Sequence, residues 1–285
     1  MKKIMVIALA LIMMIGCIAC SSSTTTTTED DANVLKVALS PDFAPMEFVD
    51  TSKEGQDQYV GFDVTLAKHI AEELGMTLEI QPMSFDAVQV AVQTGTVDLG
   101  ISGFSWTAER AENYLISDYY VAGENETEQI IIVKAEDAGK YSTAEDFAGL
   151  TIGAQSASLQ LQLCNEALPE DTKIEIFSDI NVAVVALQSG KVDGVAVATG
   201  NAEAIIANNA DIGKSGFAFD VDPKYENNVI LLNQNDSELL EKVNAILADC
   251  MEQDLYTGWY EDAKALAGIE TAAEISYTDD GTVSE

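Results

Sequence analysis

The chain has 285 residues, and its 48 acidic residues against 14 basic ones give a formal net charge of −34 at pH 7. Nucleic-acid binding needs clustered Lys and Arg that neutralise phosphates, so this composition excludes it. The only histidine, His69, argues against a histidine-based catalytic triad and against a multi-histidine metal site. We expect neither a metal nor another cofactor.

Residues 1–20 have the pattern of an export signal. Two lysines precede the apolar run at 4–15, which has signal-peptide length and is too short to span a bilayer. The Gly-Cys pair that follows resembles a bacterial lipobox, which implies that Cys17 becomes a lipidated N-terminus. Cys20 is the second choice, and cleavage without lipid is the alternative. Residues 21–33 read as a polar, flexible linker.

Strands and helices alternate in the next part of the chain. The apolar patterns predict strands at 34–39, 77–81 and 97–102 and helices at 61–75 and 84–95. Ser84 is the predicted cap of the second helix, and Gly75 and Gly95 are the predicted stops. The β-α-β-α-β order is typical of a parallel sheet with helices on its faces.

The same alternation begins again near residue 128. It predicts strands at 128–134, 150–154, 173–177 and 192–197, and helices at 157–168, 179–190 and 199–209. A further strand at 228–233 precedes a long helix, which we expect Ser237 to cap and residues 254–263 to continue. The acidic segment 271–285 is expected to fray.

One phrase occurs twice, as AVQTGTVD at 91–98 and as ALQSGKVD at 186–193. In each copy a helix ends, a glycine follows and a buried strand begins. Gly95 and Gly190 suit the left-handed conformation that helix C-termini adopt. We interpret the two copies as the same junction in two lobes of one plan. The alternative is a junction common to any α/β protein.

Outside the signal, Cys164 and Cys250 are the only cysteines. An exported pair of cysteines could form a disulfide. Both lie inside helical apolar patterns, however, so we favour two buried free thiols.

Four segments together resemble the extracellular solute-binding proteins of ABC importers for polar amino acids, known as family 3. They are similar to the family's first-strand loop (SPDFAPMEF, 40–48), its signature helix (GFDVTLAKHI, 61–70), the stretch from ligand loop to hinge (100–123) and the second lobe's ligand loop (149–160). The resemblance covers residues 34 to about 268. Thr65 stands where an acid is usual in the family, and Ala157 where Gly is common.

The resemblance implies an α/β fold of two lobes, a type II-like periplasmic-binding-protein fold. Each lobe would be a mostly parallel sheet flanked by helices, and a hinge of two crossovers would join the lobes. The crossovers would lie near 121–124 and near 225–227. The implied ranges are signal 1–20, linker 21–33, first lobe 34–122 and 226–270, second lobe 123–225, and tail 271–285.

Arg110 is the main candidate ligand residue. Thr107 is expected to cap a helix whose first two turns contain Arg110, and a guanidinium offers a bidentate fork to a carboxylate. The resemblance implies that this arginine binds the ligand's α-carboxylate. The alternative is a surface arginine paired with Glu109 or Glu112.

The resemblance implies further ligand contacts in both lobes: Ser102, Gly103, Ser105, Phe43, Phe85, Gln155 and Ser158. Aromatic faces at Phe43 and Phe85 would exclude water, although both rings could belong to the core. Gln155, Ser156 and Ser158 are expected to begin a helix whose N–H groups complete the carboxylate's shell. Plain helix capping by Ser156 is the alternative.

Two further positions depart from the family's pattern. Ala198 stands where the family commonly has an acid for the ligand's α-ammonium group, and Ser40 occupies a position that is acidic in some members. Asp42 and Glu47 are the acids that remain nearby. The identity of the ligand is therefore left open.

The resemblance implies a lipoprotein that captures an amino acid or related small carboxylate and delivers it to the permease and ATPase of an ABC importer. It would be anchored outside the cytoplasm through its lipid, act as a monomer, and be no enzyme. The alternatives are a ligand-binding sensor subunit and a secreted dehydratase-like enzyme on the same fold. An enzyme would need an acid–base pair near Arg110, for which only Asp42 and Glu47 are candidates.

Overall fold

The computed structural model describes residues 33–121, 128–222, 225 and 227–269. The export signal, nearly all of the linker, much of the two crossovers and the acidic tail lie outside the described residues. The lobe boundaries proposed for those regions stay predictions. Within the described residues, no helix has the length and apolar character that a membrane span needs.

The described residues alternate between short strands and helices. The strands are β1 (Val34–Leu39), β2 (Asp42–Phe43), β3 (Glu47–Val49), β4 (Tyr59–Val60), β5 (Thr77–Pro82), β6 (Leu99–Ser105), β7 (Leu115–Ile116), β8 (Gln129–Lys134), β9 (Thr151–Gln155), β10 (Lys173–Phe177), β11 (Gly194–Ala198), β12 (Ile212–Ala218) and β13 (Asn228–Leu232). The helices are α1 (Phe62–Glu73), α2 (Phe85–Gln93), α3 (Ala108–Asn113), α4 (Leu159–Ala167), α5 (Ile180–Gln188), α6 (Thr199–Asn208), α7 (Ser237–Glu252) and α8 (Leu255–Leu266).

Two five-stranded sheets organise the fold, one in each lobe. The first has the order β5-β1-β6-β13-β7 and the second the order β10-β9-β11-β8-β12. In both sheets four strands run in the same direction, and one, β13 or β8, runs against them. The two-lobed, mostly parallel α/β fold is therefore confirmed, and β13 shows that the chain returns to the first lobe after completing the second.

The repeated phrase marks the same junction in both sheets. Asp98 accepts a hydrogen bond from the N–H of Lys36 (2.7 Å), and its own N–H donates to the Lys36 carbonyl (2.9 Å). Asp193 makes the same two bonds with Thr151, at 2.8 and 2.7 Å. In each lobe the aspartate ties the chain just before a central strand to its parallel neighbour. The repeat thus reflects a shared plan of the two lobes.

Each lobe has its own core. In the first lobe, Phe62 is fully buried and lies about 6 Å from the rings of Tyr120, Tyr256 and Tyr260. Helices α7 and α8 supply part of this cluster, so the C-terminal segment packs onto the first lobe. In the second lobe, apolar clusters form around β8, β9 and β11. Cys164 and Cys250 are buried free thiols, as predicted.

Several sequence predictions need correction. Asp236 occupies the N-cap position of α7, so Ser237 begins the helix and does not cap it. The last helical segment does not continue α7, because Asp254 adopts a left-handed conformation (φ 53°) and α8 begins after it. Strand β12 was not predicted. The loop at 40–48 contains β2 and β3, which form a small antiparallel sheet with β4.

Candidate functional site

The candidate site lies where the carboxyl ends of strands from both lobes meet, the usual location of ligands in α/β sheets. Asp42 follows β1 in the first lobe and bonds to the second lobe twice, through Gln155 Nε2 (3.0 Å) and through the N–H of Ile180 (2.7 Å). Asn201 Nδ2 donates to the carbonyl of Ala44 at 2.9 Å. These bonds hold the lobes together around the space between them.

Arg110 lies in this space and is only 4% exposed. It is the only arginine in the chain. Thr107 caps α3, as predicted, by accepting the N–H of Arg110 at 3.1 Å. The guanidinium donates from Nη1 to the carbonyl of Ser105 (2.7 Å) and from Nη2 to the carbonyl of Ala157 in the second lobe (3.0 Å). Its Nε–H makes a longer bond to Gln89 Oε1 (3.4 Å).

The charge of Arg110 is not balanced within the described part of the chain. Among the described residues no acid forms an ion pair with it, so the alternative of a surface arginine paired with Glu109 or Glu112 is not observed. Burial lowers its pKa to about 10, which leaves it charged at neutral pH. A buried charge without a partner is costly. The arrangement is therefore suited to receive an anion from outside the chain.

Aromatic rings surround the guanidinium. Its central carbon lies 5.6 Å from the ring centre of Phe85 and 5.0 Å from that of Phe104, within the range of cation–π attraction. Phe43 packs against the backbone of Gly103, where an added Cβ would lie 2.9 Å from the ring. Gly103 also has a positive φ of 56°. A glycine is thus needed where the ring meets β6, which extends to Ser105 and not only to the predicted residue 102.

A small cavity borders Arg110. Its lining residues are Phe43, Phe85, Ser102, Gly103, Ser105, Arg110, Gln155, Leu159 and Gln160. Seven of the eight predicted ligand residues are among them. The cavity has a volume of only about 20 Å³, which is room for about one water molecule. An amino acid is larger, so the two lobes must separate before one can enter.

Ser158, the eighth predicted residue, is placed differently. Its hydroxyl accepts the N–H of Leu161 (3.1 Å) and donates to the carbonyl of Gln155 (2.8 Å), so it caps α4. Gln155 ends β9, and the expected helix start at Gln155 and Ser156 is corrected to Ser158. Ser158 borders a larger cavity of about 500 Å³ on the other side of Arg110.

This larger cavity is the less suitable ligand site. It is lined by residues of α2, α3 and α4 and of the segments beside them, and none of its lining residues belongs to a strand. Several of its amide side chains already bond within their own helices, as Asn113 does to the carbonyl of Glu109 and Asn165 to that of Leu161, both at 2.8 Å. The small cavity has the strand ends, the aromatic rings and the buried guanidinium together.

The acids near the site are already bonded. Asp42 accepts the hydroxyl of Ser40 (2.7 Å) in addition to its bonds to the second lobe. Glu47 is fully buried and accepts the hydroxyl of Ser102 (2.5 Å), which in turn accepts the N–H of Ser40 (3.0 Å). Ala198 is buried at the end of β11. No carboxylate stands at the position that the family commonly uses for an ammonium group.

Sequence reasoning missed several residues of the site: Gln89, Phe104, Ala157, Leu159 and Gln160. Gln89 lies one helical turn after Phe85, so helical spacing could have placed it on the same face of α2. Ala157 contributes its carbonyl and adopts a left-handed conformation (φ 58°). The glycine usual in the family at this position is the signal that a positive φ is required there.

The sequence and the fold both match known solute-binding proteins. The profile of the bacterial extracellular solute-binding proteins, family 3, matches residues 35–262. The arginine-binding extracellular protein ArtP of Bacillus subtilis is 32% identical over 250 residues, which cover 87% of this chain and 92% of ArtP.

Two solved structures resemble the fold closely. An amino acid ABC transporter substrate-binding protein AbpA of Streptococcus pneumoniae, bound to L-arginine, is 33% identical with a TM-score of 0.76, covering 84% of this chain and 98% of AbpA. An ancestral arginine-binding protein bound to glutamine is 32% identical with a TM-score of 0.72, and the match covers 81% of this chain and 97% of the ancestral protein. The chain therefore belongs to the bacterial extracellular solute-binding proteins of family 3.

Proposed function

We propose that this protein captures an amino acid between its two lobes, with the α-carboxylate on Arg110, and delivers it to the membrane permease of an ABC importer. The observation that carries this proposal is a buried guanidinium with no anionic partner in the described chain. ArtP, AbpA and the ancestral protein bind arginine or glutamine, which supports an amino acid as the solute.

Calorimetric titration with L-arginine, L-glutamine and L-histidine tests this function, after a thermal-shift screen of all amino acids. A bound solute raises the melting temperature, because it stabilises only the folded state. Ala198 cannot neutralise an ammonium group. We therefore expect weak discrimination between an amino acid and its 2-hydroxy analogue, and a preference above a thousandfold would contradict this expectation.

We propose binding and delivery without catalysis. The two acids that an enzyme could have used, Asp42 and Glu47, each bond to neighbouring protein groups. A sensor subunit that binds the same solute and reports to a membrane kinase is the second reading of the same site. Co-purification with a permease, and uptake that depends on this protein, would favour transport.

We further propose that the protein is a monomer anchored outside the cytoplasm through a lipid on Cys17. The basis is the small-residue-then-Cys sequence after the apolar signal. Cys17→Ser should release the protein from membranes into the medium or periplasm, as cell fractionation would show. If Cys20→Ser releases the protein and Cys17→Ser leaves it on the membrane, the lipidated residue is Cys20.

Asp42 should contribute to binding by holding the lobes closed. Asp42→Ala removes an acceptor that bonds Gln155 and Ile180 across the cleft, and hydrogen bonds to a charged group contribute about 1.5 kcal/mol or more. We expect affinity for the bound amino acid to fall roughly tenfold. Asp50→Ala is the control, because Asp50 bonds to Ser52 within its own lobe. Equal affinities of the two variants would contradict the proposal that Asp42 holds the lobes closed.

A further inference from the structure

Two buried acids bond to neighbouring residues in the second half of β6. Glu47, in β3, and Asp63, in the first turn of α1, are both fully buried. Glu47 Oε1 accepts the hydroxyl of Ser102 (2.5 Å). Asp63 Oδ2 accepts the N–H of Gly103 (2.7 Å) and the hydroxyl of Tyr120 (3.1 Å). The acids thus hold two consecutive residues that line the cavity beside Arg110.

The remaining oxygen of each acid has no donor. Glu47 Oε2 and Asp63 Oδ1 are buried, and no hydrogen-bond donor of the described chain reaches them. The charge of Asp63 and a side-chain hydrogen bond between the two carboxyl groups both act on the pKa of Glu47, so the two acids are neighbours. An ionised carboxyl group has only acceptors, so two ionised acids would leave both oxygens unsatisfied and in repulsion. One proton between them satisfies both oxygens.

The electrostatic surroundings favour such a proton. Burial, followed by the charge of Asp63, raises the pKa of Glu47 well above its usual value, and burial also raises the pKa of Asp63. Asp42 and the phenol of Tyr120 are the other titratable groups that act on the pair, and neither supplies positive charge. Within the described residues no Lys, Arg or His bonds to either acid.

We propose that Glu47 and Asp63 share one proton at neutral pH, with the Glu47 carboxylic acid donating to the Asp63 carboxylate, and that this pair positions Ser102 and Gly103 in the second half of β6. Glu47 and Asp63 are positioning residues, because neither lines the cavity. The positioning role for solute capture rests on the proposed function, whereas the shared proton does not depend on it.

Infrared spectroscopy and unfolding at several pH values test the shared proton. At pH 7 the native protein should show the C=O stretch of a protonated carboxylic acid. Glu47→Gln should lose this band, because its amide can still donate to Asp63 and accept from Ser102 without a titratable proton. Asp63→Asn should also lose the band, since the new amide can donate to Glu47, so the test does not depend on one variant folding.

The pH dependence follows from the direction of the pKa shifts. The raised pKa means that the folded state keeps a proton at pH values where the unfolded chain has already released it. The free energy of unfolding is therefore largest at low pH and decreases as the pH rises. Each retained proton lowers the equilibrium constant for folding about tenfold per pH unit. Between about pH 5 and pH 7, the free energy of unfolding of Glu47→Gln should therefore fall less steeply with pH than that of the wild type, by the equivalent of about one proton. Glu79→Gln, an acid of β5 outside the cluster, should keep the wild-type slope.

Hydrogen exchange tests the positioning role without any solute. Asp63→Ala removes the acceptor of the Gly103 N–H, so exchange of this amide should accelerate more than about tenfold, while Asp63→Asn should restore much of the protection.

A retained acid band and an unchanged slope in Glu47→Gln would overturn the shared proton. Unchanged exchange at Gly103 in Asp63→Ala would overturn the positioning role. If the wild-type protein binds no amino acid, that result would count against the proposed function and not against the shared proton.

Discussion

Replacing Arg110 with alanine should weaken binding of the captured amino acid by about 30-fold or more. A desolvated, charge-assisted pair between a guanidinium and a carboxylate costs roughly 2–5 kcal/mol to break when one partner is truncated. Arg110→Lys should also lose much of the affinity, because lysine offers a point charge where arginine offers a planar fork. Calorimetric titration measures both losses.

The matched control for Arg110 is an exposed cation of the second lobe. Lys191 pairs with Glu175 at 2.7 Å, and its side chain is 60% exposed, so Lys191→Ala should leave affinity nearly unchanged. Because the chain has 13 lysines but one arginine, no second guanidinium can replace Arg110. Affinity within a factor of two in Arg110→Ala would place the solute's carboxylate away from Arg110 and from both cavities that it lines.

Gly61→Ala should be among the most destabilising single substitutions in this protein. Gly61 has a φ of 119°, and an added Cβ would lie 2.4 Å from the carbonyl oxygen of Met46 and 2.8 Å from that of Pro45. These are backbone atoms, and they also accept the N–H groups of Phe62 and Asp63 at the start of α1. We expect the free energy of unfolding to fall by roughly 3 kcal/mol or more.

Gly75 provides the control for this prediction. It also has a positive φ, of 66°, but an added Cβ would meet no atom within 4 Å. Gly75→Ala should therefore cost only the left-handed backbone penalty of about 1 kcal/mol. Denaturant unfolding of both variants separates backbone strain from steric exclusion. Similar losses in the two variants would show that the contact with Met46 is relaxed at little cost.

The elements with strong apolar periodicity could be predicted from the sequence. β1 and β10 have the predicted bounds, and α1 and α5 differ from prediction by one or two residues at each end. β12 was missed because IGKSGFA carries two glycines and no regular alternation, and its pairing with β8 shifts register. The end of α7 was missed because an aspartate, not a glycine, adopts the left-handed conformation there.

The site was predictable where a residue type carries its own chemistry. Arg110 and Phe43 could be placed beside the ligand loop by resemblance, and their surroundings agree with that placement. Local sequence cannot show which hydrogen-bond partner a hydroxyl finds. Ser102 bonds to Glu47, which lies 55 positions earlier in the chain, and Asp42 bonds to Ile180, which lies 138 positions later. Such contacts depend on the assembled lobes.

The bond from Arg110 to the carbonyl of Ala157 has an energetic consequence for transport. Together with the bonds of Asp42 and Asn201, it favours the closed arrangement by contacts that include no solute. A solute can shift the balance between open and closed forms only by the difference in its affinity for them. Because the closed cavity has room for only about one water molecule, these contacts stabilise an empty closed form, and the solute should have less control over when the lobes close. A permease that recognises the closed form must then distinguish loaded from empty receptor by more than lobe closure.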